Sequence, residues 1–194
     1  MSGEIAAGTA RSLTLSPVAR RGAGALLLVL SAVSVWRKSA RGALGEELWL
    51  CNVSTVVQGL GLLLDVEILA ATGFMAMAAM GFIGWSLDLF VEGTTPISAA
   101  IHLTAMTAGL LEARRKALPF SAAIGAWVLW VGLQPLSFWL TDPALNVNVV
   151  YAPWPPFAGL IPSMTAYRVF NAFLAVAFIA GVRVLLRKTV EPRG

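Results

Sequence analysis

The sequence predicts an all-α protein, a polytopic bundle of six transmembrane helices, and three observations carry that prediction. Of 194 residues, 58% are hydrophobic and 12% charged, against roughly 25% charged in an ordinary soluble domain. The charged residues gather in short clusters between long apolar runs, where amphipathic elements of a soluble fold would interleave them. Those runs also lack the period-two alternation of a membrane β-barrel strand, so a backbone that enters lipid must close its own hydrogen bonds as helix. The pattern weighs against a soluble enzyme, a nucleic-acid binder working through a basic surface, and a disordered tail. The net charge of +4 is accordingly a topology signal to be taken segment by segment.

Residues 1–21 are polar, contain Gly, Ser and Pro, show no helical apolar period, and end in Arg20 and Arg21, which predicts a mobile N-terminal tail. Residues 22–36 are apolar throughout, but at about 1.5 Å per residue they reach only about 22 Å of a roughly 30 Å hydrocarbon core. The bundle therefore has five spans if this segment does not cross. A signal peptide would show the same basic flank and apolar stretch, yet no small-x-small cleavage site precedes a soluble domain. Five stronger segments follow: Glu47 to Leu64, Val66 to Phe90, Pro96 to Leu111, Leu118 to Leu140 and Tyr167 to Leu186. The short connection at Leu64, Asp65 and Val66 makes the second and third an antiparallel hairpin. The third carries Gly73, Ala76, Gly81 and Gly84 among Met75, Met77 and Met80, small residues and gap-fillers that predict a place at the bundle centre.

Residues 22–188 thus form one transmembrane domain, followed by a C-terminal tail at 189–194. The loop 141–166 is far longer than the median connection of about five residues. Five prolines stiffen it, and Tyr151, Trp154 and Phe157 suit a membrane interface, so it is either a lid or an interfacial anchor. With six spans, about ten basic residues share a side with both termini and about four lie opposite, which makes the first side cytoplasmic. Arg37, Lys38 and Arg41 run against that asymmetry. The expected location is the cell membrane, with both termini cytoplasmic.

Most polar side chains within the spans fall at one depth, toward the non-cytoplasmic leaflet: Cys51 and Asn52, Trp85 and Asp88, His102, Gln134, and Asn171. Polar groups in hydrocarbon are expensive, so such a layer is a functional-site hypothesis. His102 is the only histidine, a natural base or proton carrier, or else a helix-bridging hydrogen bonder. Cys51, the only cysteine, is a nucleophile if a base activates it and a small buried hydrophobe otherwise. Asp88 either orients His102 or ends its helix at headgroup level. Gln134 and Asn171 are oxyanion donors or interhelical hydrogen bonders. Asn146, Asn148 and Trp154 of the long loop complete the substrate-binding set with Asn52 and Trp85. Glu112, three residues before Arg115, is expected to make an interfacial ion pair. One histidine, one cysteine and no HExxH motif leave no metal-ligand set, Gly-rich phosphate loops are absent, and no cofactor is expected.

The stretches ELWLCNVSTVVQGLGLL, GWSLDLF, ISAAIHLTAMTAGLLEARRKALP and DPALNVNVVYAPWPP resemble a group of small bacterial integral membrane proteins. That group is in turn loosely similar to cysteine-dependent transmembrane acyltransferases of ether-lipid remodelling and to androgen-induced threonine hydrolases of branched fatty-acid esters. There a nucleophile on one helix works with a histidine about two helices later, which the resemblance transfers to Cys51 and His102. An acidic residue is expected after the cysteine in the bacterial group. Asn52 stands there instead, leaving a carboxylate role to Asp88.

The leading expectation is acyl transfer or hydrolysis on a lipid ester, with Cys51 attacking the carbonyl, His102 as base and then acid, and Asn52 or Gln134 steadying the oxyanion. The alternatives are a non-catalytic carrier or binder of a small amphiphile and a structural membrane subunit. Membrane lipids are the expected partners, nucleic acid is not one, and a second copy or another membrane protein is left open.

Overall fold

The computed structural model describes residues 15–91, 93–153, 157, 159–161 and 163–190, and these are helical with no strand. Six helices run alternately up and down: α1 (Pro17–Ser39), α2 (Leu50–Leu63), α3, α4 (Pro96–Arg115), α5 (Phe120–Leu140) and α6 (Met164–Thr189). The third is one continuous rod in three parts: Glu67–Ala76, a π-helical turn at Met77–Gly81, and Phe82–Val91. Four helices are long and apolar enough to cross a membrane: α1, α3, α5 and α6.

Local chemistry sets the helix ends. Ser16, Thr95 and Ser163 cap α1, α4 and α6, each accepting a hydrogen bond from the backbone N–H three residues on. Proline fills the first turn of α1 and α4, where its missing N–H is harmless. The α2–α3 hairpin turns through Asp65 in the left-handed region, a conformation Asp tolerates, and the Val66 N–H closes on the Gly61 carbonyl at 2.9 Å.

Four helices differ clearly from the lengths expected: α4 and α6 run on to 20 and 26 residues, and α1 and α2 change more in consequence. α1 begins at Pro17, inside the stretch predicted as tail, and its 23 residues extend about 34 Å, enough to cross a hydrocarbon core. α2 is shorter, with 14 residues and about 21 Å. Its expected start, from Glu47, is taken up by a 3-10 turn at Leu44–Leu48.

Every residue of α3 from Ala70 to Ala79 is buried, so this helix lies at the centre as its composition predicts. Full enclosure demands close backbone approach. A Cβ on Gly73 would lie 2.5 Å from the Ser54 carbonyl oxygen of α2, and one on Gly24 of α1 would lie 2.6 Å from the Leu63 backbone nitrogen. The outer surface is the reverse of a soluble protein's: Trp36 and Phe173 are 72% and 73% exposed, whereas Ser54 and Thr55 are fully buried.

The end holding the α2–α3 turn is closed by charge. Glu112 of α4 accepts from Arg20 Nε at 2.8 Å and from its expected partner Arg115 at 3.1 Å. Arg20 also pairs with Asp65, and Lys116 reaches Glu67 at 2.7 Å. Arg20 is thus buried, a role its place beside a predicted tail did not indicate.

Two predictions follow from this packing. Gly73→Ala should lower the unfolding midpoint by the equivalent of about 1–3 kcal/mol, while Gly132→Ala, with nothing within 4 Å of the new methyl, should be neutral or slightly stabilising; denaturant titration in micelles compares them. Arg20→Ala should cost about 1–3 kcal/mol, since Glu112 loses its buried partner and keeps only Arg115, and the apolar pair Arg20→Met with Glu112→Leu should recover most of it.

Candidate functional site

At the opposite end, where α1, α3 and α5 finish and α2, α4 and α6 begin, the bundle opens into a cavity of about 670 Å³. The π-turn marks the transition. From Ala70 to Ala79 α3 is enclosed; Met80 and Gly81 at the end of the turn and Gly84 and Trp85 above it form a cavity wall. A π-turn inserts one extra residue per turn and shifts the faces that follow, a device common at functional sites. Here it moves the lower half's packed faces out of register with the upper half and turns small residues toward open space.

His102, on α4, lines this cavity and is 2% exposed. Its Nδ1 lies 2.8 Å from the Ser98 carbonyl oxygen. A carbonyl only accepts, so Nδ1 carries the proton and Nε2 is left as a lone-pair acceptor. Nε2 is buried and has no hydrogen-bond partner among the described residues. The imidazole stacks on Trp85 of α3 with ring centroids 4.7 Å apart and planes 12° off parallel, and the indole is held by a 3.0 Å bond from its N–H to Thr94 Oγ1. The ring is therefore fixed in plane and tautomer, with one nitrogen unused.

Cys51, in the first turn of α2, lines the same cavity beside Gly81. Its carbonyl accepts from Thr55 Oγ1 at 2.7 Å and Ser54 Oγ at 3.0 Å, which fixes the backbone that carries the thiol. No hydrogen bond joins thiol and imidazole, because His102 Nδ1 is committed to Ser98 and Nε2 is unpartnered.

The remaining predicted residues separate into wall and scaffold. Asn171 of α6 and Trp85 are wall residues. Asn52 borders the cavity, and its Nδ2 donates one of its two N–H groups to the Glu46 carbonyl at 2.8 Å, which fixes the amide and leaves the second N–H uncommitted among the described residues. Gln134 is absent from the lining, and its buried Nε2 is unpartnered among the described residues. Asn146 is also outside the lining. It knits the long loop to itself, accepting from the Tyr151 and Ala152 N–H groups at 2.9 Å each from a left-handed backbone position. The Asp88 side chain and Trp154 lie outside the described residues.

Asn148 does more than line a wall. Its Oδ1 accepts from the Leu50 N–H at 3.0 Å, capping α2, while its Nδ2 donates to the Leu48 carbonyl at 2.7 Å and to Ser137 Oγ at 2.8 Å. One loop side chain thus ties the start of α2 to the end of α5. Val149 and Phe157 of the same loop also border the cavity, and Tyr151 anchors the loop on the Phe138 and Thr141 carbonyls.

Sequence reasoning missed the polar group at the rim. Ser34 Oγ donates to Glu47 at 2.8 Å, Lys38 pairs with the same Glu47 oxygen at 3.1 Å, and Ser34, Arg37, Lys38, Arg41 and Glu46 border the cavity. The available signal was the basic cluster of Arg37, Lys38 and Arg41 on the side that holds few basic residues. Among the described residues, no group of three or more His, Cys, Asp or Glu side chains is arranged to hold a metal.

Asn148→Ala should free the loop and uncap α2. The expected result is faster proteolytic cutting between 141 and 163 and a stability loss of about 1–3 kcal/mol, read by limited proteolysis and thermal unfolding. No protein-family model, curated protein or solved structure matches the chain.

Proposed function

We propose that this is a multi-pass membrane protein whose six helices cross the bilayer with both termini cytoplasmic, and that its cavity takes a lipid-like amphiphile from the non-cytoplasmic leaflet. Four long apolar helices, an apolar outside around a polar inside, and the excess of basic residues at the ion-paired end support the membrane part. The short α2 fits it as well, since a helix of about 21 Å starts below the headgroup level and leaves Cys51 and the cavity floor at acyl depth.

The observation that carries the ligand is the division of the cavity. Its walls are apolar at Ile83, Ile97, Ile101, Trp130, Leu174 and Phe178, while Ser34, Arg37, Lys38, Arg41 and Glu46 stand at the rim. A volume of about 670 Å³ lies within the range of about 300–1,000 Å³ usual for ligand sites.

A catalytic reading is favoured by one specific feature, the unprotonated and unpartnered His102 Nε2 in the same cavity as Cys51. In that reaction the thiol proton passes to Nε2, the sulfur bonds the ester carbonyl carbon, and the C–O bond breaks as the imidazolium returns the proton to the departing alkoxide. Binding leads because the thiol and imidazole are not hydrogen-bonded, Gln134 lies outside the lining, and the Asn52 amide is already tied to Glu46 through one of its two N–H groups. The resemblance to Cys/His acyltransferases stands on the same footing as this second reading.

The test extracts and quantifies lipid from protein purified in mild detergent. A binder retains about one amphiphile per chain in the native protein, Cys51→Ser and His102→Ala alike. Loss of lipid-ester turnover in both variants would instead establish the catalytic reading. A cavity that purifies empty and is filled by none of the lipids offered defeats both.

A further inference from the structure

The rim of the cavity carries a charge arrangement that the apolar chamber does not explain. Four charged side chains border the cavity among the described residues: Arg37, Lys38, Arg41 and Glu46. Their pairing is unequal. Lys38 is fixed, with its ammonium 3.1 Å from Glu47 and only 14% of its side chain exposed. Arg41 approaches only Glu46, at 3.9 Å, and is 60% exposed. Arg37 makes no ion pair among the described residues and is exposed. Two arginines thus border the mouth, Arg37 in the last turn of α1 and Arg41 in the turn that follows it, one unengaged and one loosely engaged, with Lys38 between them in sequence.

Their location needs a reason. In the six-span topology this side holds about four of the fourteen basic residues, and three of those four are this cluster. Basic residues here oppose the orientation that the rest of the chain encodes. Surface charge for solubility would not require them at the cavity mouth. Guanidinium groups match phosphoryl oxygens in charge and in paired hydrogen-bond geometry, which an ammonium held by a carboxylate cannot supply.

We infer that Arg37 and Arg41 form a head site for a phosphoryl group, so that the ligand of this cavity is an anionic amphiphile with its phosphate at the rim and its chains against Ile97, Leu174 and Phe178. The inference rests on the amphiphile reading above and specifies its ligand class. The same phosphoryl chemistry is offered by a phospholipid headgroup and by a free phosphate, and the test separates them.

Cys51 is the only cysteine in the chain and borders the cavity, so its alkylation by a maleimide reports occupancy. The full chain in neutral micelles is titrated with phosphatidylglycerol, phosphatidylcholine or diacylglycerol of matched acyl chains, and separately with inorganic phosphate. Phosphatidylglycerol should protect Cys51 at concentrations about tenfold below the other two. Arg37→Gln with Arg41→Gln should erase that preference and leave protection by diacylglycerol unchanged, and Arg37→Lys with Arg41→Lys should restore it in part. Protection by inorganic phosphate alone, lost in the glutamine variant, supports the phosphoryl site and identifies a soluble phosphate as its source. A wild-type protein indifferent to headgroup, or a preference that survives the glutamine variant, overturns the inference and leaves the amphiphile reading intact. Failure of all three lipids to protect Cys51 overturns the amphiphile reading itself.

Discussion

The structure depends on the enclosure of α3. A helix buried on every side cannot keep its neighbours at ordinary distance with ordinary side chains, and Ala70 to Ala79 solves this with small residues and with methionines that conform to what surrounds them. The same constraint reaches the partners: α2 presents Ser54 and Gln58 where Gly73 approaches, and α1 presents Gly24 where α2 ends. Polar side chains around α3 bond to backbone carbonyls, as Thr55 does to Cys51 and Gln58 Nε2 does to Ala105 at 2.9 Å, while Gln58 Oε1 is buried without a partner among the described residues.

The enclosure ends within the π-turn, after Ala79, and there the molecule divides into a solid half and a hollow half. The solid half is finished by Arg20, Glu112, Asp65, Arg115, Glu67 and Lys116, which engage one another. The hollow half has charge of a different kind, partly committed among Ser34, Lys38 and Glu47 and partly left at the mouth. Charge therefore seals one end and furnishes the other.

Much of this was legible in one dimension. All six helices, the α2–α3 hairpin and the central place of α3 follow from apolar run length, turn residues and small-residue content. Their ends were less so: α1 starts at Pro17 because Ser16 caps it and Arg20 finds an acid 92 residues away, and a long-range ion pair leaves no mark in a hydropathy profile. The common depth of Cys51, Asn52, Trp85, His102 and Asn171 was visible from distances to helix ends, and these residues border one cavity. Depth carries no azimuth, however, and Gln134 shares the depth while lying outside the lining. Asn146 and Asn148 are alike in sequence, and only the fold distinguishes the one that knits the loop from the one that joins it to α2.

That last distinction makes the long loop and the start of α2 one mechanical unit. Because Asn148 holds the Leu50 N–H, the loop cannot lift without removing the hydrogen bond that starts α2, whose next residue is Cys51. Lifting of the loop would thereby fray the helix that bears the thiol, and a ligand that held the loop down would stiffen that helix by the same free energy. On the amphiphile reading proposed above, occupancy of the chamber and order at Cys51 would be two readouts of a single equilibrium.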